Sequence, residues 1–220
     1  MRKRHVQQEI PFSRRGGKRP GAGRPPSGPR SSERHQIRPR LRASEPVHVT
    51  IRATRAIGSM RRLDRYRAVR AALIATFVHE GFRIVHLSLQ RTHIHLLVEA
   101  DDRIRLARGM QAFQISAARH LNRVARRCGT VFADRYHADI ITSPRRARNC
   151  LAYVLSNWRR HGEPGGWRID PYSSASSFDG WTAPVERPVD PIPVWRPKTW
   201  LLSGGWRRHG KIDPAHVPGP

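Results

Sequence analysis

Hydrophobic and polar residues between positions 46 and 161 follow two different periods, one typical of strands and one typical of helices. In "PVHVTIRA", residues 46–53, every second residue is apolar, which predicts a strand with one buried face. "FRIVHLSLQ" and "THIHLLVEA" predict two further strands, and because so few residues separate them we expect a hairpin around Gln90–Thr92. "VFADRYHADIIT" predicts a fourth strand.

Three other stretches repeat their apolar residues at helical spacing. The first predicts a helix near residues 59–79 that ends before Gly81, and the second predicts a helix over about 102–127. Pro144 suits the first turn of a third helix, which we expect to end near His161. The order strand–helix–strand–strand–helix–strand, followed by a helix, predicts an α+β fold of the ferredoxin-like, split βαβ type, with an antiparallel sheet and helices on one face.

The amino-acid composition changes before and after this periodic region. The change predicts that the chain has three parts. Residues 1–45 are rich in Arg, Gly, Pro and Ser and lack apolar periodicity, so we expect a flexible, disordered basic arm. Residues 46–161 form the predicted compact domain. Residues 162–220 are rich in Pro, Gly and Trp, and their five tryptophans indicate an extension that packs partly on the domain: Trp167, Trp181, Trp195, Trp200 and Trp206.

Charge limits the partners that this chain can have. There are 42 Lys and Arg residues against 16 Asp and Glu residues, a formal net charge of +26. Such an excess repels itself unless a polyanion is bound, so nucleic acid is the first candidate partner and a membrane surface is the second. Because the sequence contains neither a membrane-length apolar run nor a signal-peptide core, we expect a cytoplasmic protein. Cys128 and Cys150 lack zinc-site spacing, and no disulfide is expected.

Two histidines stand close together on the third predicted strand. Side chains alternate along a strand, so His93 and His95 lie on one face and Ile94 lies on the other. This spacing can present two imidazoles to one metal ion. In a chain with 12 histidines, however, such a pair also arises readily by chance, and the pair alone leaves both interpretations open.

The predicted third helix, "NCLAYVLSNWRRH", carries a second group of polar residues. Its core-facing stripe consists of Leu151, Val154, Leu155 and Trp158. Tyr153 lies off this stripe, and Asn157 lies one helical turn after it. Either the tyrosine covers the edge of the core and the asparagine lies in water, or the phenol is a nucleophile beside a neutral oxygen ligand. With a divalent cation held by the histidines, the phenol could attack a phosphate and form a covalent phosphotyrosine.

These residues resemble a known family. The His-hydrophobe-His strand, the ferredoxin-like order and the single tyrosine on a later helix resemble the HUH-type single-tyrosine transposases. More closely, "PVHVTIRA", "VFADRYHADIITSPRRARNCLAYVLSNWRRH" and "DPYSSASSFDGW" resemble the REP-associated tyrosine transposases. The resemblance covers roughly residues 45–182 and also "LLSGGWRRHG" near the end of the chain.

The resemblance implies a metal-dependent transposase that cleaves and rejoins single-stranded DNA near hairpins. It assigns His93 and His95 to the binding of Mg²⁺ or Mn²⁺ and Tyr153 to a 5′-phosphotyrosine intermediate. Asn157 occupies the position of a third, polar ligand, where some relatives have glutamine. His137 lies in a family-like run but receives no role. A catalytically inactive hairpin-binding regulator and an HUH relaxase or replication initiator stay open as alternatives, as does the choice between monomer and homodimer.

Arginines are the candidate phosphate contacts. Those near the predicted tyrosine helix or on the preceding strand are Arg135, Arg145, Arg146, Arg159 and Arg160. Those in the arm are Arg14, Arg15 and Arg24, the last in "GKRPGAGRPP", which resembles a minor-groove hook in part and otherwise serves as a general phosphate-binding tail. For each arginine on the domain, a solvated charged face is the alternative.

Overall fold

The computed structural model describes residues 39–163, 166–186 and 190–219. Most of the predicted arm lies outside these ranges, together with Arg14, Arg15 and Arg24. The strands are β1 (Val47–Arg52), β2 (Phe82–Leu89), β3 (His93–Ala100) and β4 (His137–Ile140). The helices are α1 (Leu63–Thr76), α2 (Arg103–Val124), α3 (Pro144–Arg160) and the short α4 (Trp200–Ser203), with 3₁₀ turns at Arg55–Ile57, Ala175–Ser177 and Gly205–His209.

The four strands form one antiparallel sheet in the order β2-β3-β1-β4. This is the split βαβ arrangement, in which β3 lies between the two strands that α1 connects, and it confirms the predicted fold class. The expected hairpin joins β2 to β3, where Gln90 donates its backbone N–H to the carbonyl of His93 at 2.9 Å. In the β1–β3 register, Thr50 lies opposite His95, which fixes the polar neighbours of that histidine.

Both faces of the sheet are covered. Val49 and Ile51 of β1 and Leu96 of β3 pack with α1 and α2 in a first core. Leu97, the next residue of β3, points the other way and packs with α3 and the C-terminal extension in a second core. The predicted placement of helices on one face therefore holds for α1 and α2, the helices of the split βαβ unit. Helix α3 covers the opposite face, because apolar residues such as Leu97 and Val85 line that face as well.

Two elements are shorter than the sequence predicted. Helix α1 begins at Leu63, after the 3₁₀ turn and an extended segment in which Met60 donates its N–H to the carbonyl of Arg91 at 2.9 Å. Strand β4 covers four residues, and the stretch before it contributes only an isolated bridge between Ala53 and Phe132. Helix α3 matches its predicted bounds closely, because Pro144 starts it and the Ser143 side chain caps it by accepting from the backbone N–H of Arg146.

The C-terminal extension is anchored to the domain by buried acidic residues. The fully buried Glu99 carboxylate on β3 accepts from the backbone N–H groups of Lys198 and Thr199, each at 2.9 Å. Asp170 accepts two hydrogen bonds from Arg61, at 2.9 and 3.0 Å. At the other end, Leu41 is buried in the first core, so the packed chain includes residues ahead of position 46.

Within the described ranges, no helix combines the length and the apolar character that crossing a membrane requires.

Candidate active site

His93 and His95 converge on the face of the sheet that α3 covers. Their Nε2 atoms lie 2.9 Å apart, and their rings meet edge to face with centroids separated by 4.6 Å. The Nδ1 atom of His93 lies 3.2 Å from the hydroxyl of Thr92. Both imidazoles thus present the same nitrogen to one point, as two ligands of a single ion would.

Asn157 lies on α3 directly over these histidines. It is completely buried, so the alternative that places this side chain in water is wrong. Its Nδ2 atom lies 3.1 Å from Nε2 of His95, and its Oδ1 atom has no hydrogen-bond partner within the part of the chain that the structure describes. A half-turn of the amide exchanges the two atoms and brings the oxygen to the converging nitrogens.

Tyr153 lies one helical turn before Asn157 and is half-buried. Its ring meets the edge of the His95 ring at a centroid distance of 5.1 Å and that of His48 at 5.7 Å. The two groups of polar residues, some 60 positions apart in the sequence, therefore form one site. A phenol lies beside two imidazoles and a buried amide, at the interface between β3 and α3.

His48 and Thr50 on β1 complete the surroundings of His95. The Nε2 atom of His48 lies 3.1 Å from Nδ1 of His95, and the Thr50 hydroxyl lies 3.2 Å from the same nitrogen. Partners of this kind hold a ligand imidazole in one orientation and one tautomer. Neither residue was predicted from the sequence to belong to the site. They lie on the polar side of "PVHVTIRA", and the strand order of the predicted fold, which places β1 beside β3, is a signal that could have found them.

Burial keeps these imidazoles uncharged. Desolvation lowers the pKa of His48 and of His93 from 6.5 to about 4. Desolvation, with smaller contributions from the neighbouring imidazoles of His93 and His48, lowers the pKa of His95 to about 2. Neutral imidazoles carry the free lone pair that metal binding requires.

The cluster fits a divalent cation. Two nitrogen ligands at about 2.1 Å from one ion, at right angles, lie about 3 Å apart, which matches the observed separation of the two Nε2 atoms. After the half-turn of its amide, the Asn157 oxygen would supply a third ligand atom. Among the described residues, no group of three or more His, Cys, Asp and Glu side chains is arranged to hold a metal. The candidate set here differs from such a group because its third member is the amide of Asn157.

Two further histidines lie near the site. His161, at the end of α3, is exposed, and its ring centroid lies 5.9 Å from that of His93. His137 on β4 is also exposed and lies opposite Thr50 in the β1–β4 register. Neither histidine was predicted from the sequence to have a role.

The arginines predicted on the domain have different surroundings. Arg135 and Arg145 are exposed. Arg146 forms an ion pair with Asp139, the cross-strand neighbour of His48.

Two arginines at the end of α3 hold the C-terminal segment. Arg159 donates to the backbone carbonyls of Pro214 at 2.9 Å and Arg168 at 2.8 Å, and Arg160 donates to the carbonyl of Gly219 at 3.0 Å. Both therefore have a structural contact, and their contact with phosphate stays a prediction.

The segment that carries these residues matches a known family. Residues 49–157, from β1 to Asn157, match the family model described as IS200-like transposases. This segment makes up just under half of the chain, and over it the chain is similar to the IS200-like transposases. The matched segment contains both histidines, Tyr153 and Asn157, so the family match and the observed site coincide.

Two solved structures are similar to this chain. One is a REP-associated tyrosine transposase bound to a REP hairpin, with 16% sequence identity and a TM-score of 0.49, and the match covers 64% of this chain and 82% of that one. The other is a crystal structure assigned as a transposase from Deinococcus radiodurans R1, with 16% identity and a TM-score of 0.37, covering 54% of this chain and 92% of that one. Among curated proteins, none matches this chain.

Proposed function

We propose that this chain is a metal-dependent DNA transposase of the REP-associated type, which cleaves and rejoins single-stranded DNA near hairpins through a 5′-phosphotyrosine at Tyr153. One observation carries the proposal. The Tyr153 ring contacts the ring of His95, whose Nε2 atom is also in contact with His93 and Asn157. A nucleophile thus lies beside a set of neutral donors suited to a cation.

The chain's own residues supply the nucleophile and its position. The Tyr153 hydroxyl oxygen forms a bond to phosphorus while the bond from phosphorus to the 3′ oxygen of the strand breaks. The phenol loses its proton, and the departing 3′ oxygen gains one. Attack by the 3′ hydroxyl of another strand on the phosphotyrosine reverses the step and joins that strand, without a nucleotide triphosphate.

His93, His95 and Asn157 would hold Mg²⁺ or Mn²⁺. When bound, the cation polarises the scissile phosphate and offsets the charge that develops on it. His48 and Thr50 orient His95 through its other nitrogen. Because the protein donors are neutral, phosphate oxygens would supply the negative charge that a divalent cation favours.

The charge of the chain and its sequence motifs support DNA as the partner. A net charge of +26 favours a polyanion, and the motifs of the tyrosine helix resemble those of transposases that act near hairpins. We assign phosphate contacts to the exposed Arg135 and Arg145 and to Arg146, and we extend the same role to Arg159 and Arg160 beside their structural contacts.

A covalent adduct tests the proposal. The purified chain is incubated with end-labelled hairpin DNA carrying a single-stranded flank and Mn²⁺ or Mg²⁺, and the products are separated under denaturing conditions. We expect a protein–DNA adduct that Tyr153→Phe abolishes and that Tyr172→Phe, a half-buried tyrosine outside the site, retains. Tight hairpin binding without any adduct would instead identify a catalytically inactive regulator.

A further inference from the structure

A second cavity lies away from the tyrosine, at the outer edge of the sheet. Its volume is about 710 Å³, and residues of the edge strand β2 and of the C-terminal extension line it. The lining includes His86, Ser176, Trp195 and Arg196. Pockets for small organic groups occupy about 300–1,000 Å³, and the volume of this cavity lies within that range.

Ser176 supplies an unused hydrogen-bonding group in this cavity. The residue is 9% exposed, and its hydroxyl has no hydrogen-bond partner among the described residues. The 3₁₀ turn that carries it is held in place, because the Ala175 carbonyl accepts from the indole N–H of Trp181 at 2.8 Å. A buried hydroxyl without a partner is costly, and a ligand in the cavity would satisfy it.

His86 supplies a second polar atom with a defined role. The Ser174 hydroxyl oxygen accepts from the backbone N–H of Leu87 at 3.0 Å and lies 3.1 Å from Nδ1 of His86. When the hydroxyl donates its hydrogen to Nδ1, the ring proton lies on Nε2. Burial lowers the pKa of His86 to about 4, so the ring is neutral and offers one N–H donor.

Trp195 supplies an aromatic surface beside these polar groups. Its side chain is 40% exposed, and its ring meets Phe77 edge to face at a centroid distance of 5.1 Å. Its backbone N–H donates to the carbonyl of Ile84 at 2.9 Å, which fixes the segment to the edge of β2. The next residue, the exposed Arg196, places a cation at the same cavity.

We propose that this cavity binds one unstacked nucleobase of the DNA substrate. The base stacks on Trp195, its polar edge hydrogen-bonds with Ser176 and the N–H of His86, and Arg196 contacts the adjacent phosphate. Stacking on an aromatic side chain together with a nearby cation is the general mode by which proteins hold unpaired bases. The inference rests on the proposed function, because it takes DNA as the substrate.

Hairpin binding without metal tests the cavity separately from the chemistry. Dissociation constants are measured by fluorescence anisotropy in EDTA. Since stacking contributes about 1–3 kcal/mol per base, Trp195→Ala should weaken binding by about 5- to 150-fold, and Trp195→Phe should retain most of the affinity. Trp167→Ala, at an exposed tryptophan that does not line the cavity, is the matched control and should bind like the unaltered chain.

Ser176→Ala removes a hydroxyl that has no partner in the described structure, so it leaves folding intact and isolates the contact with DNA. We expect a loss of affinity of about 2- to 10-fold for one hydrogen bond.

An abasic scan identifies the base. A single abasic nucleotide is moved through the unpaired part of the hairpin substrate. At one position the abasic nucleotide should weaken binding as much as Trp195→Ala does. The affinity of the Trp195→Ala chain should not change with the abasic nucleotide at that position, because the two changes remove the same contact. If the chain binds DNA and neither Trp195→Ala nor Ser176→Ala changes the affinity, the cavity does not bind a nucleobase. The proposed function would be unaffected by that result. Failure of the unaltered chain to bind any hairpin would overturn both.

Discussion

The Nε2 atom of His48 lies 3.1 Å from the Nδ1 atom of His95. A residue of β1 therefore contacts the candidate metal ligand His95 on β3. If His95 binds a cation through Nε2, its proton lies on Nδ1 and is donated to His48 or to the Thr50 hydroxyl. His48 then accepts through Nε2. These two partners define the orientation and the tautomer of His95, as is usual around metal ligands.

His48→Ala should weaken Mn²⁺ binding by about 10- to 100-fold, because the His95 ring loses the partner that orients it. His48→Gln should recover part of the affinity, since its amide oxygen can accept from Nδ1 of His95. Titration calorimetry on the DNA-free chain measures both values, and thermal unfolding shows whether each variant is folded. Equal affinities of the folded His48→Ala variant and the unaltered chain would refute this role.

Asn157→Leu separates stability from metal binding. The buried Oδ1 atom has no partner in the described structure, and the Nε2 atom of His95 keeps its contact with His93 when that with Nδ2 is lost. An apolar side chain of similar size should therefore raise the free energy of unfolding of the metal-free chain by about 1 kcal/mol. The same change should weaken Mn²⁺ binding, since it removes the third donor. Chemical denaturation and calorimetry measure the two effects. A purely structural role for the asparagine predicts lower stability and unchanged metal affinity.

The stability of the metal-free chain should fall as the pH is lowered from about 6.5 towards 4. Burial lowers the pKa of His48, His86 and His93 to about 4 and that of His95 to about 2. In the unfolded chain these side chains take up protons near pH 6.5. The unfolded state therefore binds more protons over this range, and acidification favours it.

Guanidinium unfolding in EDTA at several pH values measures this slope. His86→Gln should make the slope shallower, since one buried imidazole is removed without touching the candidate metal site. His209→Gln, at an exposed histidine, should leave the slope unchanged. A free energy of unfolding that stays constant from pH 7 to pH 4.5 would contradict the predicted burial of these rings.

Deleting residues 1–38 should weaken hairpin binding and reduce its dependence on salt, because the segment contains many of the chain's arginines. The deletion leaves the buried Leu41 in place, so the folded domain keeps its first core. Anisotropy measured over a series of salt concentrations gives the slope of affinity against salt. An unaltered slope would show that the segment makes no phosphate contact.

Much of the fold and the central residues of the site follow from local sequence patterns. The alternation in "PVHVTIRA" predicted β1, and the spacing of Tyr153 and Asn157 placed both on one side of a helix whose bounds were accurate. His93 and His95 share a face because they belong to one strand. Each of these relationships depends only on the period of a single element.

Contacts between different strands and helices could not be predicted from local sequence patterns. The contact of His48 with His95 depends on the register of β1 against β3, which no single element determines. The position of α3 on the second face depends on the packing of Leu97 with that helix. The contacts of Arg159 with backbone carbonyls depend on the path of the C-terminal segment, which has little periodic structure of its own.

The most direct test of the account is to identify the amino acid that carries the DNA. The protein–DNA adduct formed with Mn²⁺ is digested with nuclease and trypsin and analysed by tandem mass spectrometry. The tryptic peptide of residues 149–159 contains Tyr153 as its only tyrosine. We expect a nucleotide attached through its 5′ phosphate to Tyr153 in this peptide. A nucleotide on another residue, or cleaved DNA without any covalent attachment, would contradict it.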